Sequence, residues 1–314
     1  MKTIGTEEHF VTDEVLTAWS RLDPLAREDS RASAPPGEMG DRLREVGDRR
    51  IAAMDDAGLD VQVISLTSPG LQNLPAGEAT RLQVETNDRI AELVNARPDR
   101  FQGFATLATP APAAAAQELE RAVTKLGLNG ALVFGRTGER NLDHPDNWPI
   151  FEAAASLRAP LYIHPQIPQP PVRAALYAGF DDAIDNAFAT HGIGWHYESG
   201  VQFLRLALAG VFDQFPDLQV GRPSCSRMNP SGFANSSAVV ATNSSLTHGI
   251  WTTSASGPLK SSSAESGSFL YCCLKPARSR NGAWRDRIAA IFMSFPAARH
   301  WGFSASGAIA PSSE

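Results

Sequence analysis

The sequence predicts an α/β fold, a (β/α) barrel of parallel strands, over its first 220 residues. Three observations predict it. Short apolar or β-branched runs alternate with longer stretches whose apolar residues recur at helical spacing, the pattern of parallel β/α units. Five or six such units follow one another in the chain. No GxGxxG turn follows the first of them, which favours a barrel over a dinucleotide-binding sheet.

The elements follow in order. Thr3–Phe10 is read as the first strand. Asp41–Ala57 places Leu43, Val46, Ile51 and Met54 at helix-compatible spacings, and Gly58 behind it suits a C-cap. Asp60–Leu66 (DVQVISL) is a strand rich in β-branched residues. The helix Ala79–Ala96 carries Leu82, Val84, Ile90 and Leu93 and stops before Pro98. Strand Phe101–Leu107 and helix Ala113–Leu126, ahead of Gly127, form the next unit. Strand Gly130–Phe134 precedes helix Asn147–Leu157, and strand Pro160–His164 (PLYIH) precedes helix Ser199–Phe215. Leu218–Val220 begins a sixth strand.

The composition excludes several classes. At 314 residues and 43% hydrophobic, the chain can bury a sizeable core and is no disordered protein. No apolar run approaches the roughly 18–20 residues a membrane span needs, and MKTIGTEEHF has acids where a secretory leader is apolar. Three cysteines, with Cys272 and Cys273 adjacent, make neither a disulfide framework nor a Cys-x-x-Cys knuckle. The expectation is a cytoplasmic protein, and the net charge of −6 argues against nucleic acid as a partner.

That average hides a break near residue 220. Residues 1–220 hold 31 acidic against 19 basic side chains, a net of −12, and only 7 serines. Residues 221–314 hold 3 acidic against 9 basic, a net of +6, with 20 serines and all three cysteines. Two parts are therefore expected: a barrel part, 1–220, and an atypical Ser-rich basic tail, 221–314. Within the tail Ser231–Ser263 has no sustained period, and Arg285–Phe295 (RDRIAAIFMSF) is the one plausible apolar helix.

The chemistry-bearing residues sit at strand ends. In Glu7-Glu8-His9 alternation puts Glu7 and His9 on one face of the strand and Glu8 on the other. At the C-terminal end of a barrel strand that face looks into the mouth, where a carboxylate and an imidazole make half a site for zinc or a similar ion. A polar strand end in solvent is the plainer alternative. His164, at the end of an apolar strand, reads by itself as an ordinary core or loop histidine. In a barrel, however, strands one and five open onto the same mouth, so Glu7, His9 and His164 could meet around one ion. Glu198 in WHYES is a candidate first-turn acid and His196 a candidate pocket residue, with a surface role equally open; His144 and His191 fall in loops. The chain lacks a G-x-S-x-G elbow and a phosphate loop.

Together these segments carry a resemblance. TEEHF, MDDAGLDVQVISLTSPGLQNL, ETNDRIAELVNARPDRFQGFATLATPAP, ELERAVTKLGLNGALVFG, PLYIHPQIP and GWHYESGVQFLRLALAGVFDQFPDLQV occur in order over about residues 1–220. They resemble the amidohydrolase-related metal-dependent decarboxylases of the γ-resorcylate, 2,3-dihydroxybenzoate, 5-carboxyvanillate and aminocarboxymuconate-semialdehyde type. The resemblance implies a TIM (β/α)8 barrel of the metal-dependent hydrolase type, assembled as dimers or tetramers. It implies a divalent metal, zinc or manganese, with Glu7 and His9 matching the first-strand ligands and His164 the fifth-strand ligand. It also implies an aromatic carboxylate as substrate, held through its carboxylate and a neighbouring hydroxyl, and loss of CO2 without a redox cofactor. His196 and Glu198 are carried as candidate substrate-binding residues.

The resemblance ends at the compositional break. The family continues with Gly-His-x-Gly-Glu and, on its last strand, a Ser-x-Asp-[WY]-P-like motif whose aspartate is a ligand and proton donor. Here Val220 is followed by GRPSCSRMNP, and the only acids beyond it are Glu265, Asp286 and Glu314. The barrel is accordingly expected to be incomplete, with a divergent or out-of-frame tail, and the catalytic residues are left unassigned. Weak metal binding and little decarboxylase turnover follow as expectations. A metal-dependent hydrolase of a lactone or amide, and a non-catalytic remnant, are the competing readings.

Overall fold

The computed structural model describes residues 3–23, 37–228 and 234–241. Contacts divide the chain into two units, Met1–Lys275 and Pro276–Glu314. The second unit lies outside the described residues, as do the 285–295 segment, Cys272, Cys273, Glu265, Asp286 and Glu314.

Six parallel strand segments follow one another around the barrel. The first two are β1 (Ile4–Phe10) and β2 (Val61–Leu66); the third is split into β3 (Phe101–Gly103) and β4 (Ala105–Thr106). Then come β5 (Ala131–Phe134), β8 (Leu161–His164) and β9 (Val220–Met228). A small antiparallel ribbon, β6 (Arg136–Thr137) with β7 (Arg140–Asn141), follows β5. One sheet runs β1-β2-β3 and the other β4-β5-β8-β9-β10, where β10 is Ala234–Ala241. The fold is the predicted barrel. β2 is buried along its whole length because sheet and helices cover both of its faces.

Helices pack outside the strands; some lie where the sequence predicts them, and others differ. In α1 (Asp13–Ser20) the Thr12 hydroxyl accepts from the Val15 amide, capping a first turn that carries Asp13 and Glu14. The segment read as one helix over Asp41–Ala57 is two, α2 (Glu38–Arg44) and α3 (Asp48–Ala57), because the backbone leaves helical geometry at Glu45–Gly47. Arg50 fills the break. Its guanidinium donates to the carbonyls of Arg42 (3.1 Å), Glu45 (2.9 Å) and His9 (2.8 Å), so carbonyls released by the helix end are satisfied. Gly58 closes α3 in the left-handed conformation, φ 67°, as expected.

The long α4 (Ala76–Ala96), α5 (Pro112–Thr124) and α6 (Trp148–Leu157) follow β2, β4 and the ribbon. The predicted helix Ser199–Phe215 starts earlier and breaks. It is α9 (Gly194–Leu208) and α10 (Val211–Gln214), separated by Gly210 at φ 77°. Between β8 and α9 the chain forms two short helices that no periodicity announced, α7 (Pro170–Leu176) and α8 (Asp182–Ala187), and a π-helical turn over Phe188–Gly192. This excursion exposes Val172, Leu176, Phe180, Ile184 and Phe188, four residues apart in sequence.

The main core lies between strands and helices and includes Ile64, Ile90, Phe101, Leu119, Val133, Phe151, Ile163 and Val220. Val63, Phe104, Leu132, Phe134 and Tyr162 form a separate cluster inside the barrel, where Phe104 and Tyr162 stack 5.9 Å apart. The sixth strand does not stop near residue 220. β9 pairs with β8 at Leu161–Val220 and Tyr162–Gly221, runs on through Met228, and meets β10 antiparallel. A strand thus crosses the point at which the composition changes. Among the described residues no helix is long and apolar enough to cross a membrane.

Candidate metal centre

Two histidines from opposite sides of the barrel converge. His9 stands next to the last residue of β1, and His164 is the last residue of β8. Their Nε2 atoms lie 3.0 Å apart, with the rings edge to face. The Glu7 carboxylate is 4.0 Å from His164 Nε2. The structure therefore brings together the three residues that the strand-end reading singled out. Glu8 points to the other face, where it accepts from Gln62 at 2.7 Å. Burial raises its carboxyl above the usual range, outweighing the Arg50 charge and the Gln62 hydrogen bond.

Each imidazole is held through its other nitrogen. His164 Nδ1 lies 2.6 Å from the Pro165 carbonyl, which can only accept, so Nδ1 carries the proton. In the neutral ring Nε2 is then a lone pair facing His9. Phe134 packs against the His164 ring at 5.3 Å. His9 Nδ1 lies 3.0 Å from the hydroxyl of Ser65, the residue directly across from it in the parallel ladder. A hydroxyl both donates and accepts, so Ser65 can follow His9 through either tautomer. With Ser65 donating, His9 Nε2–H donates to His164; with Ser65 accepting, both Nε2 lone pairs face the gap.

Burial favours the neutral form of both rings. Burial, then repulsion from His164 and Arg50, holds His9 well below its ordinary value. Burial brings His164 down to about 4, against the pull of the Pro165 carbonyl. Burial also raises the Tyr162 hydroxyl, and the Glu7 charge adds to this effect.

The spacing of the two imidazole nitrogens suits a divalent ion. Metal–imidazole bonds of about 2.0–2.1 Å set nitrogens roughly 2.9 Å apart at a right angle and roughly 3.4 Å apart in a tetrahedron. The observed 3.0 Å falls in that range. Two neutral imidazoles and one carboxylate could hold zinc or manganese. Among the described residues, however, no three His, Cys, Asp or Glu side chains already stand close enough together to hold a metal ion, so Glu7, 4.0 Å from His164 Nε2, would have to move in.

The other candidates sit elsewhere. His196 and Glu198 lie inside α9 rather than ahead of it. Burial and the neighbouring Arg222 lower the His196 imidazole. Glu198 pairs with Arg136 at 2.9 Å and accepts from Gln202 at 3.4 Å, so its carboxylate is engaged by protein groups. His144 caps the turn at Pro145–Asn147, accepting from the Asp146 amide at 3.3 Å, and His191 touches the Thr190 hydroxyl at 3.2 Å. Sequence reasoning missed Ser65 and Arg136. The alternation of DVQVISL puts Ser65 on the face of Val61 and Val63, a lone hydroxyl on an apolar face, and that was the available signal.

Comparison with known proteins identifies relatives of this chain. The chain is 34% identical over 227 residues to a gamma-resorcylate decarboxylase of Polaromonas sp., covering 69% of this chain and 64% of that protein. It resembles the crystal structure of 5-carboxyvanillate decarboxylase from Novosphingobium aromaticivorans, complexed with manganese and 4-hydroxy-3-methoxy-5-nitrobenzoic acid. That match has 34% identity and a TM-score of 0.61 and covers 70% of this chain and 64% of the other. The 2,6-dihydroxybenzoate decarboxylase from Rhizobium matches at 31% identity and a TM-score of 0.57, over 70% of this chain and 65% of the other. The chain thus spans just under two thirds of the length of these relatives. Residues 9–221 match the amidohydrolase family over most of the chain, and the chain belongs to that family.

Proposed function

We propose that the chain is a metal-dependent, non-oxidative decarboxylase of a hydroxylated aromatic carboxylate, and that its described part holds the metal-binding half of the site. The observation that carries this is the pair of imidazoles whose Nε2 atoms converge at 3.0 Å beside Glu7. Glu7, His9 and His164 would hold the metal. The decarboxylases that this chain resembles, one of them with manganese in its structure, support the reading of a divalent ion, and manganese before zinc.

In such a reaction the ring carbon–carboxylate bond breaks, CO2 leaves, and a proton replaces it on the ring. When bound, the metal orients the substrate's carboxylate and hydroxyl and offsets charge that develops on them. The chain's own residues do the rest of the binding work. Ser65 and the Pro165 carbonyl hold the two imidazoles in place. Val63, Phe104, Leu132, Phe134 and Tyr162 line the barrel interior with a wall of low dielectric, which strengthens every charge interaction at the mouth. His196 and Glu198 remain candidate substrate-binding residues, Glu198 with its carboxylate paired to Arg136. The residue that would deliver the ring proton is left unassigned, and slow turnover is the expectation.

Division of the chain into a barrel part, 1–220, and a tail, 221–314, belongs to this proposal. So do homo-oligomer assembly, a cytoplasmic setting, and a small aromatic carboxylate as partner in place of nucleic acid or membrane.

The test is Mn2+ binding to the metal-free full chain, followed by CO2 release from 2,6- and 2,3-dihydroxybenzoate. One Mn2+ site that His164→Ala abolishes, with slow metal-dependent CO2 release, supports the reading. Ring opening of lactones or amides without CO2 release overturns it in favour of a hydrolase. A folded, monodisperse sample that takes up no metal and turns over nothing is a non-catalytic remnant.

A further inference from the structure

A buried ion pair stands behind His164, and the metal centre as described makes no use of it. Arg136 and Glu198 meet at 2.9 Å with side chains 9% and 14% exposed, 62 residues apart in sequence. Such a pair is costly to bury and stabilises little by itself, so its value lies in what it holds.

It holds the segment that follows His164. The Arg136 guanidinium donates to the Ile167 carbonyl at 2.5 Å, and the Arg136 amide donates to the Gln166 side chain at 3.1 Å. Pro165, Gln166 and Ile167 are all buried. Residues 166 and 167 are therefore fixed from the end of the neighbouring strand, where Phe134 pairs with His164 in the ladder. Pro165 is left with its carbonyl against His164 Nδ1 at 2.6 Å. On the far side Glu198 is itself braced. Gln202 donates to it at 3.4 Å and to Asn141 at 2.9 Å, and accepts from the Leu142 amide at 3.3 Å. A polar path thus runs from α9 through Arg136 to Gln166 and Ile167, and the backbone carries it from there to Pro165, whose carbonyl meets His164 Nδ1.

We propose that the Arg136–Glu198 pair is a positioning device for His164: by clamping Gln166 and Ile167 it holds the Pro165 carbonyl on Nδ1, and so keeps the Nε2 lone pair aimed at His9. Neither residue is among the three that would hold the metal, so the role argued for the pair is positioning. Partners behind a metal-binding histidine commonly matter about 10–100-fold in metal affinity. The metal consequence rests on the reading of His164 as a ligand; the tautomer consequence does not.

The test separates the two. Long-range 1H–15N spectra of the metal-free full chain report the protonation of each imidazole nitrogen, with the His164 signals assigned by their loss in His164→Gln. In the wild type His164 is a single Nδ1–H tautomer. In Arg136→Gln its nitrogens move toward averaged shifts, and Mn2+ affinity measured by calorimetry falls about 10–100-fold. Glu198→Gln, of the same shape but without the charge, gives a smaller change in the same direction and stands in should Arg136→Gln not fold. A folded variant with the His164 signals unchanged overturns the inference, as a merely structural pair would leave the ring nitrogens where they were. If the wild type binds no Mn2+ but the His164 nitrogens still shift in the variants, the metal reading fails and the positioning role stands.

Discussion

Replacing Ser65 by alanine isolates the support of the other histidine. Ser65 is fully buried, and its hydroxyl meets His9 Nδ1 at 3.0 Å across the β1–β2 ladder. Without metal, His9 can donate from Nε2 to His164 while Nδ1 accepts from Ser65. With metal, both Nε2 lone pairs are used, so the His9 proton must sit on Nδ1 and needs an acceptor. Ser65→Ala leaves that N–H buried and unmet, which costs about 1–3 kcal/mol. Metal affinity should fall about 10–100-fold, or about 1.4–2.7 kcal/mol, with His9 still present. Calorimetric titration of the metal-free protein with Mn2+ measures the change, and urea unfolding of the same samples shows whether the barrel is intact. An intact Ser65→Ala protein that binds Mn2+ within about twofold of the wild type would refute the reasoning, because a shift under about 0.4 kcal/mol leaves no room for a lost hydrogen bond.

Three further outcomes follow. Mn2+ at about 100 times its dissociation constant should raise the unfolding free energy by about 2.7 kcal/mol; EDTA should reverse this, and His164→Ala should show no such gain in urea melts. Asn87, fully buried on α4, makes three hydrogen bonds, to the Thr106 amide and carbonyl and to the Glu118 carboxylate at 2.8–3.0 Å, so Asn87→Ala should lose about 3 kcal/mol by urea unfolding. Gly130 sits at φ 152°, and a Cβ there would lie 2.3 Å from the Pro160 carbonyl, so Gly130→Ala should cost at least about 2 kcal/mol; a neutral effect would contradict the described junction of β5 with β8.

Much of the barrel could be read from the sequence because its cause is local. The runs DVQVISL and PLYIH are strands in any context that buries them, and Gly58 behind Ala57 caps a helix through its own conformational freedom. Glu7 and His9 share a face by strand geometry alone. Their meeting with His164, 155 residues on, needed the barrel itself, which puts the ends of β1 and β8 at one mouth. What stayed hidden depends on partners far away in the chain. The break at Glu45–Gly47 is stabilised by Arg50 reaching three carbonyls, one of them on β1. Ser65 is chosen by the ladder register and Arg136 by a helix 62 residues away. Glu198 looked like an open acid because nothing near it in sequence neutralises it. Just after residue 220 the fading pattern reflects a strand, β9, that leaves β8 at Gly221 and runs on through Arg, Pro and Ser paired with β10, where ladder pairing replaces apolar alternation.

The apolar side chains at 172, 176, 180, 184 and 188 have a colloidal consequence. Exposed apolar side chains attract their like in another copy, and the restraint on that attraction in solution is charge repulsion. The chain carries a net charge of −6 at pH 7 and reaches zero near pH 5.7. Lowering the pH toward that point, or adding salt that shortens the reach of the repulsion, leaves the attraction unopposed. Turbidity at fixed concentration should therefore rise toward pH 5.7 while the barrel is still folded, and replacing Leu176 and Phe180, the most exposed of the five, by glutamate should clear it.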